Sequence, residues 1–281
     1  MRKSITFYGL TLSLPMLIWQ VLFFLAPLIF LVALSFWTVK NFRMVPDFNP
    51  DNWVKMLGRG VFWQAYFRTL LLSAAAAIIT SVLAFPCAYG IALKLSETAR
   101  RWAIFLMVIP FFTSYLVRVY SWQIFLSDNG IINALLAKVG LGPFGMLNSV
   151  FGVMVGYMTL SLPLVVLLQL FSLVFVDKTL IEAAHNLRCG RLRTVFEVVI
   201  PSAKVGLVIA ALFCFILTFG DFVSPLYLGG GDPPTLSILI TDTTKSGQQW
   251  PRAAVIALTM IATLLAVAFA AVSFAYKERG R

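Results

Sequence analysis

Long stretches without a single charge constrain this chain more than any other feature. Residues 4–39, 69–93, 139–176 and 253–276 contain no Asp, Glu, Lys or Arg. Residues 102–127 contain only Arg118, and residues 205–231 only Asp221. A helix needs about 20 apolar residues to cross the hydrocarbon core of a bilayer. Within lipid each run must also satisfy its own backbone hydrogen bonds, which leaves the helix as its state. The composition agrees: hydrophobic residues make up 60% of the 281 and charged residues 12%, against about 45–50% and about 25% in soluble domains. A soluble core could not hide that excess. We therefore expect an all-α membrane protein of six transmembrane helices, near 10–37, 69–93, 102–126, 150–176, 205–227 and 253–276, in one domain spanning 1–281. The first run follows Arg2 and Lys3, as a signal peptide would. Its apolar stretch exceeds the roughly 7–15 residues of such a segment, so it is expected to be a retained helix.

The net charge of +11 would suit nucleic acid or a membrane surface, and its distribution decides for the membrane. The N-terminus, the 94–101 and 177–204 connections and the C-terminal tail together hold 13 basic and 5 acidic residues, a net of +8. The opposite side holds 9 and 6, a net of +3. Positive residues stay inside, so both termini are expected in the cytoplasm. On the outer side, residues 46–68, with Trp53, Phe62, Trp63 and Tyr66, read as an interfacial segment. Residues 131–139 read as a short helix and residues 229–234 as a turn. Cys87, Cys189 and Cys214 are odd in number and read as small buried hydrophobes. With His185 as the one histidine, neither a disulfide framework nor a metal centre is expected.

The 177–204 connection is unlike a linker. Good helix formers follow Asp177, and Gly190 suits a helix C-terminus. Leu192, Val195, Phe196, Val199 and Ile200 then recur at helical spacing, and Pro201 suits the first turn of the next helix. Two readings are open on physical grounds: a helix–turn–helix elbow whose Ala183 and Ala184 admit a partner, or an amphipathic loop resting on the membrane.

The Glu182-Ala183-Ala184 sequence with Ile200-Pro201 at its end resembles the EAA loop of permease subunits of binding-protein-dependent ABC importers. At the place of that family's glycine stands Arg188, with Gly190 two residues later, and Ile200 stands at the place of its leucine. Residues 109–120 (IPFFTSYLVRVY) and 219–225 (FGDFVSP), followed by Gly229-Gly230, resemble the spermidine/putrescine branch, in its first-permease type. The resemblance implies a type I importer permease (MetI-like) fold in the bacterial inner membrane. It implies a polyamine as solute, or else an amino-acid or sugar derivative such as an opine. It also implies a second permease subunit, two copies of an ABC ATPase and a periplasmic solute-binding protein as partners. Glu182, Ala183, Ala184, Arg188, Gly190, Ile200 and Pro201 are its ATPase-coupling residues. The chain has no GxxxxGK[ST] phosphate loop, so ATP and Mg belong to the ATPase, no cofactor is expected on this chain, and it is not itself an enzyme.

Arg118 and Asp221 are the charges inside the expected spans, and such residues are functional candidates by default. Each lies 16 residues from the inner end of its span, roughly 24 Å deep at about 1.5 Å per residue. Either they pair with each other or reach the interface, or Asp221 receives a cationic group of the solute. Tyr115 and Phe222 lie beside them as candidates for the pathway, whereas Trp122 and Tyr227 suit an aromatic belt. Pro110 and Pro163 are expected to bend their helices. A secondary transporter would require paired repeats and charges at mid-membrane, and a membrane enzyme a clustered acid–base or metal set; neither pattern is found in the sequence.

Overall fold

The computed structural model describes residues 12–41, 43–246 and 248–277. It is helical throughout, apart from a short antiparallel pair of strands, β1 (Thr38–Lys40) and β2 (Arg43–Val45), in which Thr38 faces Val45 and Lys40 faces Arg43. Five helices are long and apolar enough to cross a membrane: α1 (Leu12–Ser35), α3 (Gly60–Leu93), α7 (Val150–Val174), α9 (Arg191–Phe219) and α12 (Trp250–Tyr276). A bent pair, α4 (Glu97–Phe112) and α5 (Tyr115–Ala137, of which Tyr115–Leu126 is continuous α-helix), passes the same test when its two arms are taken together, and counted as one broken span it brings the number to six. Between these lie α2 (Asp51–Leu57), α6 (Ile131–Ala137, within the second arm of the bent pair), α8 (Lys178–Asn186), α10 (Val223–Tyr227) and α11 (Leu236–Lys245).

The expected boundaries change at three places. Helix α3 begins at Gly60 rather than 69, so residues 60–68 of the expected interfacial segment extend the span. The third span is not one straight helix. Pro110 sits in a 3₁₀ turn, Ile109–Phe112, and the chain bends by 89° before Tyr115. Proline favours such a tightened end because it cannot donate to the turn behind it. The fifth span reaches back to Arg191 and its α-helix stops at Phe219, so Asp221 lies in a break and not within a helix. Its first part, from Arg191, expected within the separate connection, is continuous with the rest of the span through a π turn, Val195–Val199. That wider turn directly precedes Pro201, whose ring would crowd the carbonyl four residues back in a regular helix.

The chain falls into two compact units. One comprises Met1–Trp63 and Leu239–Ala262. Within it Asn52 Nδ2 donates to the carbonyls of Ser35 (3.0 Å) and Trp37 (2.8 Å), groups that the end of α1 leaves without helical partners. Trp53 Nε1 adds a bond to Ser35 Oγ at 3.1 Å. The other comprises Gln64–Ile238 and Thr263–Arg281. Here α7 is the central helix. Leu72 and Ala76 of α3 pack on Val153 and Tyr157 of α7, and Gln169 Nε2 reaches the Ser81 carbonyl at 3.0 Å. On α9, Gly206 lies directly against Ser172, whose hydroxyl donates to the Ala203 carbonyl at 3.0 Å. Lys204 Nζ lies 4.4 Å from the Phe274 ring of α12. Small residues at helix crossings suit association in lipid, where close backbone approach replaces the hydrophobic effect as the driving force.

Large apolar side chains remain exposed along α1 (Trp19, Phe23, Phe24), α3 (Leu71, Ile78, Val82) and α12 (Leu265, Phe269). Such continuous apolar surface requires lipid or another apolar partner.

Candidate functional site

Two sites emerge from residues singled out in the sequence. The first is the elbow between α7 and α9. The Asp177 side chain accepts the Thr179 N–H at 2.9 Å and starts α8. That bond holds the Asp177 carboxyl below its ordinary range. At the other end Cys189 N–H donates to the Ala184 carbonyl and Arg188 N–H to the His185 carbonyl, both at 2.9 Å. Arg188 itself is left-handed, with φ of 59°. These are the two bonds and the backbone turn of a Schellman motif. Arg188 thus takes the conformation that the family's glycine would take, at a cost of about 1–2 kcal/mol for a residue with a Cβ. Gly190 does not cap α8. It starts α9, with φ of −64° and ψ of 154°, and its carbonyl accepts from the Thr194 N–H at 2.9 Å.

The face that the elbow presents also differs from the sequence pattern. Ala183 is exposed, whereas Ala184 is buried within the elbow. Val199 is fully buried, but Leu192 and Phe196 are 76% and 67% exposed, so the five apolar positions do not share one covered face. Ile200 is half-buried and Pro201 exposed where the elbow joins the span. Glu182 is exposed on a cleft of about 390 Å³ whose lining also includes Lys94, Lys178, His185 and Arg191. The ion pairs found among the described residues are Lys55–Asp51, Arg101–Glu97 and Arg193–Glu197, so the Glu182 carboxylate is left for another group.

The second site surrounds Asp221. This residue is 7% exposed, and its carboxylate accepts three bonds. Tyr115 Oη donates to Oδ2 at 2.7 Å, Val223 N–H to Oδ1 at 3.0 Å and Ser224 N–H to Oδ2 at 3.1 Å. Tyr115 Oη also bonds Ser224 Oγ. Asp221 therefore anchors the start of α10 and ties it to α5. Arg118 does not pair with it. Its Nη1 donates to the Thr159 carbonyl of α7 at 2.9 Å, and its guanidinium lies 5.9 Å from the centre of the Tyr115 ring. Among the described residues the two charges are joined through Tyr115. Their equal spacing from the span ends did not produce this, because the 89° bend and the longer α9 remove the straight-helix geometry. Phe222 is half-buried in the break. Trp122 and Tyr227, expected in an aromatic belt, pack against the buried cluster of Val119, Leu126 and Leu228.

Ser224, Gly152 and Gly156 belong to this site and were missed. A Cβ on Gly152 would lie 2.5 Å from the Leu228 carbonyl oxygen, and one on Gly156 would collide with the Ser224 side chain. The Gly-x-x-x-Gly spacing in an apolar run was a signal available in the sequence.

The model of the family described as "binding-protein-dependent transport system inner membrane component" matches residues 81–278. The chain belongs to that family. It is thus an inner-membrane permease subunit of ABC importers, multi-pass and not an enzyme. It is 28% identical over 253 residues to the spermidine/putrescine transport system permease protein PotB of Haemophilus influenzae, covering 88% of this chain and 87% of the relative. With the protein of the same name from Salmonella typhimurium (strain SL1344) it shares 30% identity over 249 residues, covering 86% of this chain and 85% of the relative. Its fold matches a bacterial ABC transporter involved in the import of the acidic polysaccharide alginate, with a TM-score of 0.74 at 17% identity over 99% of this chain and 97% of that one. The permease fold expected from the sequence is the fold found.

Proposed function

We propose that this permease forms half of the translocation pathway of an ATP-driven importer for a polyamine such as spermidine or putrescine. A second permease subunit completes a heterodimer. Two copies of a separate ATPase hold ATP and Mg, and a periplasmic binding protein delivers the solute. Both termini and the elbow of α8 face the cytoplasm, in line with the +8 charge on that side.

The observation that carries this reading is the elbow itself. A Glu-Ala-Ala helix ends in a left-handed residue at the family's glycine position. Glu182, Ala183, Arg188 and Gly190 present its free surface to the ATPase, and Ala184 holds it together from within. Ile200 and Pro201 pass its movement into α9. Closure of the ATPase dimer and release of the solute then bias the same two-state membrane element from its two faces. Tyr115, Arg118, Asp221 and Phe222 stand beside the solute path as a wall that fixes its shape, since the Asp221 carboxylate already accepts three bonds.

A second reading, an amino-acid or sugar derivative such as an opine, is favoured by one observation. Arg68 and Gln64 line a cavity of about 600 Å³ with Val150 and Pro233. The Arg68 Nε is buried there without a hydrogen-bond partner among the described residues. A carboxylate would pair with it and a polycation would not. Uptake by proteoliposomes containing the whole importer separates the two. ATP-dependent spermidine uptake, competed by putrescine and not by octopine, is the expected result. The converse pattern transfers the assignment to the second reading.

A further inference from the structure

We infer that Arg118 is a positioning residue for transport, which replaces the backbone hydrogen bond that Pro163 removes from α7. Helix α7 runs unbroken from Val150 to Val174 with Pro163 inside it. A regular residue at 163 would donate its N–H to the carbonyl of residue 159, and proline cannot. In lipid that orphaned carbonyl has no water to turn to. The group that reaches the Thr159 carbonyl is Arg118 Nη1, at 2.9 Å from a different helix. Thr159 occupies its own hydroxyl on the Val155 carbonyl at 2.7 Å, so it offers no local substitute.

The consequence is a joint with an external clasp. On either side of residues 159–163 the helix is held by its own ladder, but at that turn it is held by a side chain of α5. Arg118 stands over the Tyr115 ring, and Tyr115 bonds Asp221 at the break after α9. One chain of contacts therefore links α5, α7 and α10. The Arg118 Nε is buried with no partner among the described residues, so a single bond fastens the clasp. An interaction of that kind can be released without unfolding the helix. Its making and breaking sets how far α7 bends as the permease alternates between its two states.

The test is a double-mutant cycle on the assembled importer in proteoliposomes. Spin labels at the exposed positions Phe151 and Phe171 flank the joint, about 30 Å apart at 1.5 Å per residue, in a background without the native cysteines. Arg118→Met is expected to broaden the distance distribution and to lower spermidine uptake about tenfold, the scale of one charged hydrogen bond. Pro163→Ala added to it restores the N–H and is expected to narrow the distribution again and recover most of the uptake. If Arg118→Met does not assemble, Arg118→Met/Pro163→Ala must. An unchanged distribution in Arg118→Met, or a double variant no better than the single, overturns the proposal. The uptake arm rests on the polyamine reading, whereas the distance arm needs no solute. Distances that respond as expected while even the unaltered importer fails to take up spermidine would remove that reading and leave the clasp intact.

Discussion

Arg188 carries the most informative backbone angle in the chain. It is left-handed at φ of 59° although it bears a side chain, and two hydrogen bonds around it depend on that turn. Glycine reaches the same conformation without the Cβ penalty. Arg188→Gly should therefore raise the unfolding free energy by about 1 kcal/mol, read as an upward shift of the thermal midpoint of the purified complex. Gly190 provides the contrast. Its φ of −64° suits any residue, and a Cβ there meets nothing within 4 Å. Gly190→Ala should leave the midpoint where it is. The sequence made Gly190 the natural candidate for the turn because glycine is the common C-terminal residue. Only the backbone shows that the arginine performs that role.

The association of α7 with α10 depends on the absence of side chains. Gly152 and Gly156 bring the helix against the Leu228 carbonyl and the Ser224 side chain, and Ser224 in turn bonds Tyr115 and, through its N–H, Asp221. A larger residue at 156 cannot be absorbed by a flexible neighbour, since the obstacle is itself fixed by hydrogen bonds. Gly156→Val should cost about 1–3 kcal/mol, as overpacked cores do. It should also loosen the bonds that Asp221 accepts from Tyr115 and from the Val223 and Ser224 amides, which backbone amide hydrogen–deuterium exchange at residues 221–228 would register as faster exchange. Full retention of protection at those amides would show that the glycines are not what seats α10. Periodicity alone could not reveal this contact, because a hydrophobic run says how deep a residue lies but not which neighbour it meets.

Along the whole chain, apolar spans are interrupted by one long connection, 177–204, that is polar and structured. If the elbow transmits the ATPase movement, its exposed carboxylate is the group whose sign matters. Glu182 lies among Lys94, Lys178 and Arg191 on one cleft and forms no ion pair with them. Glu182→Lys places a fourth cation there and removes the one anion among the residues that line the cleft. The variant should insert and assemble, yet its ATPase activity should no longer rise on addition of loaded binding protein. Wild-type stimulation would remove Glu182 from the coupling surface.

The sequence by itself determined the membrane class and the place of the elbow. Charge-free runs of span length leave the helix as the one state that lipid permits, and the Glu-Ala-Ala pattern lies in a polar connection where nothing else explains it. Tertiary structure alone decided what the intramembrane charges do. Arg118 and Asp221 look like a pair when their helices are drawn straight. The bend before Tyr115 and the break after Phe219 turn each toward a backbone or hydroxyl partner instead. Those partners arise where proline and chain breaks strip the backbone of its own bonds, and which side chain can reach a stripped carbonyl is a matter of packing, not of spacing.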